Sequence, residues 1–294
     1  MTIESDIKKF QAEFNQTLAE LFQQIPADRS PILHQAMLYS LTNGGKRVRP
    51  YLMSLVAQAL GISTQTIIPA AIALECIHSY SLVHDDLPAM DDDDLRRGKP
   101  TCHIEFDEAT AILAGDALQT LAYETIANAG VNDSIKVNWI KELSRHAGYY
   151  GMCSGQALDL AAENSQISLA ELEKIHHLKT GALLRAAVSL ACLAKPDLPA
   201  EHMKQFDEFA QQLGLAFQIQ DDILDVTAST EALGKPQGSD EKLNKSTYPG
   251  LLGLEQAIEK AEQVYQSALE QIRDLPYNTQ SLFNFARFIV QRQH

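Results

Sequence analysis

Leu213-Gly214-Leu215-Ala216-Phe217-Gln218-Ile219-Gln220-Asp221-Asp222-Ile223-Leu224-Asp225 is the most informative stretch of the chain. Its apolar residues recur three and four apart, the period of a helix rather than a strand. Asp221 and Asp225 are four apart, Asp222 and Asp225 three apart, and Gln218 lies one turn earlier. A helix sets these four on one face. The other residues are apolar, so a polar stripe runs along a helix otherwise fit for a core. Such a stripe is costly. Two carboxylates about 4 Å apart repel by about 4 kcal/mol at an effective dielectric near ~20. Buried without partners, they take up protons instead. A divalent cation removes the difficulty, and Mg²⁺ is held by one or two carboxylates together with substrate phosphates.

The same period extends outward. Ile32–Leu41, Tyr51–Leu60, Ala70–Val83, Ala109–Ala129, Leu169–Ala194 and Met203–Val226 all carry apolar residues at helical spacing. Two-residue alternation is scarce, which predicts an all-α fold. Helices are expected to stop at Asn43-Gly44-Gly45, Pro88, Gly98-Lys99-Pro100, Lys195-Pro196 and Gly234-Lys235-Pro236. No low-complexity linker or fixed-period repeat divides the chain, so residues 1–294 are read as one helical domain, a bundle with apolar central helices. Gly234–Gly250, rich in glycine and polar groups, is the exception. A loop of that length is usually a lid or a binding loop.

Composition narrows the function. The chain has 294 residues, 45% of them hydrophobic, which is enough for a sizeable core and excludes a disordered chain. No run of eighteen uninterrupted apolar residues occurs, and the N-terminus is polar and acidic, so neither a membrane span nor a signal peptide is expected. Cys76, Cys102, Cys153 and Cys192 form no C-x-x-C pair and read as reduced thiols of a cytoplasmic protein. A formal net charge of −14 disfavours nucleic acid and anionic membrane as partners. The bases are nonetheless clustered, at Lys46, Arg47 and Arg49 and again at Arg96, Arg97 and Lys99. That pattern suits a small anionic ligand.

A second acidic cluster, Asp85-Asp86-Leu87-Pro88-Ala89-Met90-Asp91, follows the apolar run ending at Val83. One such motif alone is most simply a solvated charge run; two, each after an apolar helical stretch, point to two carboxylate sites gripping one polyphosphate. Asp92, Asp93 and Asp94 read as solvated loop. Gly44-Gly45-Lys46-Arg47-Val48-Arg49-Pro50 is a glycine turn entering a helix, where backbone approaches a phosphate and a helix N-terminus favours an anion. An ordinary interhelical turn with surface bases would also account for it. Arg96-Arg97-Gly98 follows the first aspartate motif closely enough to reach phosphates held there, and Arg suits bidentate phosphate contact. Lys179-Thr180-Gly181 interrupts an apolar helix, as do Gln156 and Asp159, and Lys235 and Lys245 sit in the long loop. His78 is two helical turns before Asp85 and shares its face. No H-E-x-x-H, Walker A, G-x-G-x-x-G or G-x-S-x-G motif occurs.

Taken together these motifs resemble the trans-isoprenyl diphosphate synthases, and among them the bacterial farnesyl diphosphate synthases. The resemblance runs from Gly44 almost to the C-terminus and includes Gly155-Gln156-Ala157-Leu158-Asp159-Leu160 and Gly234-Lys235-Pro236-Gln237-Gly238-Ser239-Asp240. It implies an all-helical fold around a deep central cavity, and a homodimer. It implies that Asp85, Asp91 and Asp221 bind magnesium, with three ions when diphosphate is bound, and that Asp86, Asp222 and Asp225 support them. It implies that Arg96, Lys179 and Lys235 contact the allylic diphosphate (dimethylallyl or geranyl). Lys46, Arg49, His78 and Arg97 would contact isopentenyl diphosphate, and Gly45 and Lys245 are counted with the substrate-binding residues. Thr180 and Gln218 would lie near the developing allylic cation, and Arg292 would help closure. The four-residue spacer between Asp86 and Asp91 resembles the longer motif of the bacterial farnesyl and plant geranylgeranyl subclasses.

Product length is expected to depend on Tyr80, five residues before Asp85, or about 7.5 Å along a helix axis. An aromatic there, above a small Ser81, can floor the cavity and stop elongation at fifteen carbons; ordinary core packing is the competing account. Longer-chain synthases, terpene cyclases, an inactive regulatory subunit and an EF-hand protein are the other readings. Tyr80 speaks against the first, and Asp221-Asp222-Ile223-Leu224-Asp225 with the bases Lys46, Arg49 and Arg97 against the second. The complete set of aspartates and bases speaks against the third. The spacing, without the central glycine of a calcium loop, speaks against the fourth.

Overall fold

Apolar residues at helical spacing need a face to bury, and the chain supplies one helix after another to do so. The structure, a computed structural model, describes residues 3–163, 165–227 and 246–290. It groups into two compact units, Met1–Tyr51 with Gln65–Ile140 and Leu52–Thr64 with Lys141–His294.

In the first unit, α1 (Ile3–Gln24), α2 (Pro31–Thr42) and the start of α3 (Val48–Ala59) precede α4 (Thr64–Asp85). α1 is amphipathic and buries Ile7, Phe14, Leu18 and Phe22 on one stripe. α4 is apolar almost all round and buries most of Ile67–Val83. By length and composition α4 could cross a membrane, but 67% of its most apolar window is buried, as in the core helix of a globular fold. A two-stranded hairpin follows, β1 (Leu95–Arg96) against β2 (Lys99–Pro100), and is the one departure from all-helix among the described residues. Arg97 and Gly98 at its tip have φ of 56° and 74°, as a two-residue hairpin turn demands. α5 (Cys102–Glu105) and α6 (Glu108–Ala127) complete this unit with the start of α7 (Asp133–Ala147). Asp107 caps α6 by accepting from the Thr110 N–H. α6 packs on α2 and α5.

The second unit contains the rest of α3 and α7, then α8 (Met152–Ala162), α9 (Leu169–His176), a π-helical turn (His177–Gly181), α10 (Ala182–Leu193) and α11 (Ala200–Thr227). It ends with α12 (Tyr248–Leu252), α13 (Leu254–Arg273) and α14 (Gln280–Val290). α9 opens with a capping box between Ser168 and Glu171. α13 buries Ala257, Ala261, Val264, Tyr265, Ala268 and Ile272, a single stripe whose main partner is α11. Gly214 of α11 faces Gly181 of the π turn so closely that a Cβ there would meet Gly181 Cα at 3.1 Å.

Candidate active site

The first aspartate motif begins where α4 ends. Its longer spacer closes on itself: the Asp91 N–H donates to the Asp85 carbonyl at 2.8 Å, and Met90 and Asp92 donate to Leu87. The extra residues form a turn that returns Asp91 to Asp85. Asp91 Oδ1 is buried and accepts no hydrogen bond. Asp86 is spent differently. Arg96 grips it through Nε, at 2.8 and 2.9 Å from the two oxygens, and through Nη2. Asp92, Asp93 and Asp94 are exposed, as expected of a solvated loop.

The basic groups of this unit assemble beside the glycine turn. Arg97 Nη1 donates to the Gly44 carbonyl at 2.5 Å, and a Cβ on Gly45 would meet Arg97 Nη1 at 2.5 Å. Gly44 and Gly45 take φ of 89° and 118°, open to glycine alone at little cost. Arg49 Nη1 stands 3.3 Å from His78 Nε2, and Lys46 is exposed. Burial, reinforced by Arg49, Arg97, Arg96 and Arg47, holds His78 well below its ordinary pKa, so the ring is neutral. Arg47, in contrast, is structural. It is 3% exposed, pairs with buried Glu75 at 2.5 Å, and donates to Asn15 and the Leu41 carbonyl. Glu75 escaped the sequence reading, although a lone carboxylate inside the apolar run of α4 was the available signal. Arg47, Asp92 and Arg97 are the non-glycine residues with positive φ among those described, all in the acidic and basic loops. Such backbone persists where its surroundings fix it. Tyr80 is 6% exposed and meets the His84 ring edge-on at 5.8 Å.

In the second unit, α11 carries the predicted stripe, with Asp222 and Asp225 buried and Gln218 and Asp221 half-buried. Lys179 and Thr180 stand on the π turn. That turn inserts a residue into the helical register, and π turns gather at functional sites. Lys179 Nζ lies 2.6 Å from Asp159 Oδ2. One cavity is lined by Asp159, Lys179, Thr180, Gln218 and Asp222, with Thr247 at its edge. The structure thus brings Lys179, Thr180 and Gln218 to one hollow beside the second motif. Asp159 belongs there too; its sequence signals were its place with Gln156 in an apolar helical stretch and in the Gly155–Leu160 motif of the resemblance. Tyr248 had none. It is fully buried, donates its N–H to Asp222 Oδ2 at 2.9 Å and its hydroxyl to Glu173 at 3.2 Å. Lys235, Lys245, Arg292 and most of Gly234–Gly250 lie outside the described residues.

The donor sets fit magnesium. Among the described residues no three His, Cys, Asp or Glu side chains gather into a cluster. Mg²⁺ does not require one, since one or two carboxylates with phosphates suffice. The buried, unpartnered Asp91 Oδ1 beside Asp85 is the kind of hard oxygen such an ion takes. Thiols are unsuited: burial pushes Cys76 and Cys192 far above the ordinary thiol pKa.

The chain is similar to known proteins along most of its length. The family model for polyprenyl synthetase matches residues 30–283. The farnesyl diphosphate synthase of Escherichia coli (strain K12) is 50% identical over 284 residues, 95% of each chain. A geranyltransferase structure from Legionella pneumophila superposes with a TM-score of 0.87 at 34% identity, covering 98% of this chain and 96% of that one. A Helicobacter pylori geranyltransferase, solved with magnesium and isoprenyl diphosphate, does so at 0.82 and 34%, covering 96% and 95%.

Proposed function

The chain belongs to the polyprenyl synthetase family, and from that premise we infer that it is a farnesyl diphosphate synthase. It condenses isopentenyl diphosphate head to tail with dimethylallyl or geranyl diphosphate, giving (2E,6E)-farnesyl diphosphate and diphosphate. The observation that carries this reading is the near-full-length identity to the Escherichia coli farnesyl diphosphate synthase. That match disfavours a longer-chain synthase or an inactive subunit. The family model's unbroken run through both units supports one catalytic domain over residues 1–294. The reading includes a homodimer in the cytoplasm.

Asp85, Asp91 and Asp221 are assigned as the magnesium ligands, with three ions when diphosphate is bound. Bound there, magnesium acts as a Lewis acid on the departing diphosphate. The residues of the chain do the rest. Arg96, whose guanidinium keeps an edge that Asp86 does not take, is assigned to the allylic diphosphate, as are Lys179, beside Asp159, and Lys235; Lys245 is counted with the substrate-binding bases. These preorganised charges stabilise the anion as the allylic carbon–oxygen bond breaks. Thr180 and Gln218, which line one cavity, are assigned to the neighbourhood of the cation left behind. Gly45, Lys46, Arg49 and Arg97 hold isopentenyl diphosphate, and neutral His78 adds a polar contact without charge. The isopentenyl double bond then attacks the cation. No base on the chain is assigned to the final proton, which goes to the departing diphosphate. The reaction requires that water, which would quench the cation, be excluded.

The test is a steady-state comparison of variants. Lys46→Gln and Arg97→Gln are expected to raise KM for isopentenyl diphosphate about tenfold or more, the scale of one charge-assisted contact, with a smaller change for geranyl diphosphate. Lys179→Gln is expected to act mainly on the geranyl diphosphate side. Equal effects on both substrates would contradict the division of the cationic groups.

A further inference from the structure

Arg47 is buried between two bases assigned to substrate, and the acid that holds it, Glu75, lies outside every motif of the site. We propose that Arg47 and Glu75 are a positioning pair: they fix the backbone of residues 44–49 so that Lys46 and Arg49 face isopentenyl diphosphate, and neither touches the substrate. This rests on the reading of the site given above. The guanidinium is engaged at each nitrogen. Its Nη1 donates to Glu75 Oε1 of α4 at 2.5 Å, its Nε to Asn15 Oδ1 of α1 at 2.9 Å, and its Nη2 to the Leu41 carbonyl in the last turn of α2 at 2.5 Å. Arg47 and Glu75 are 3% and 2% exposed, so no face is left toward solvent or ligand. The backbone of Arg47 is fixed as well. Its φ of 49° lies in the left-handed region, which an arginine adopts only where its surroundings hold it. Its carbonyl accepts from the Tyr51 N–H at 3.0 Å and so starts α3.

The consequence is the aim of the neighbouring bases. Gly44, Gly45 and Arg47 all have positive φ, and between them Lys46 stands exposed beside the buried Arg47. Glu75 and His78 are three apart on α4 and share a face. Glu75 takes Arg47, and His78 Nε2 stands 3.3 Å from Arg49 Nη1, so this face sets the first turn of α3 against α4 at two points. Arg97 reaches the same turn through the Gly44 carbonyl. Burial lowers the Arg97 pKa, and among the charges around it Glu75 does most to oppose that. A buried ion pair stabilises a fold little or not at all beside apolar side chains of equal volume. What this pair supplies is one geometry for the turn.

The experiment compares Glu75→Leu, Arg47→Lys and the double variant Arg47→Met with Glu75→Leu, all in the full-length enzyme. Glu75→Leu alone strands a buried guanidinium and is expected to lower the denaturant midpoint; the double variant removes both charges and is expected to fold with a midpoint near that of wild type. Arg47→Lys keeps the charge and loses the fork that reaches Asn15 and Leu41. In the double variant and in Arg47→Lys, KM for isopentenyl diphosphate is expected to rise about tenfold or more, while KM for geranyl diphosphate stays within about threefold. A pair that served stability alone would lower the amount of active enzyme without that split. Deuterium exchange of the peptide containing Gly44–Val48 should speed up in both variants. That readout needs no turnover, so it tests the positioning even if the wild-type chain makes no prenyl product. A KM for isopentenyl diphosphate within about twofold of wild type in either variant, unchanged exchange at the turn, or a double variant that does not fold would overturn the proposal.

Discussion

Burial and the positive charge of four arginines disfavour a protonated ring at His78. Burial first, then Arg49, Arg97, Arg96 and Arg47, lower its pKa well below 6.5. In the unfolded chain the ring takes a proton near 6.5; in the fold it does not. Unfolding therefore binds a proton as pH falls through that value, and stability drops from there toward the folded pKa. Replacement of His78 by Asn should flatten this part of a urea-denaturation profile measured against pH. An unchanged slope between pH ~7 and ~5 would mean that His78 does not carry it. Tyr80 is the other residue whose chemistry is a matter of position. It is 6% exposed and braced by the His84 edge, so removing the ring opens depth along α4. Tyr80→Ala should lengthen the main product from fifteen carbons to twenty or more, read by chromatography. An unchanged product would leave Tyr80 as core packing.

At the scale of elements, the π turn at His177–Gly181 is held by close backbone approaches. Gly155 of α8 lies so near that a Cβ would meet the Lys179 nitrogen, and Lys179 Cα at 2.5 Å. Backbone cannot yield as a flexible side chain does. Gly155→Ala is expected to cost about 2 kcal/mol of stability, as overpacking does, and to shift Lys179 away from Asp159. Denaturant midpoints and KM for geranyl diphosphate would register both effects, and a variant with wild-type values would refute the tight fit. Much of α11 was legible because helical period is a local property: Gln218, Asp221, Asp222 and Asp225 share a face by arithmetic alone. The return of Asp91 to Asp85 was not, since it depends on how the Leu87–Met90 turn closes. The Arg96 hairpin was too short to show a two-residue period. Arg47, grouped by sequence with Lys46 and Arg49, is bound to Glu75, 28 positions away. Tyr248 likewise meets Asp222 from 26 positions away, a pairing that no spacing rule announces.

For the whole molecule, the family match runs through both units. The first unit holds Asp85, Asp91, Lys46, Arg49 and Arg97, and the second Asp221, Lys179, Thr180 and Gln218, residues that the proposed function assigns to one reaction. The most direct measurement is turnover by the purified full-length chain with isopentenyl and geranyl diphosphates, product length read by chromatography, with magnesium and with chelator. The account predicts a farnesyl product that vanishes with the chelator. A folded chain that forms no prenyl product with magnesium, or forms it equally well without, would contradict it.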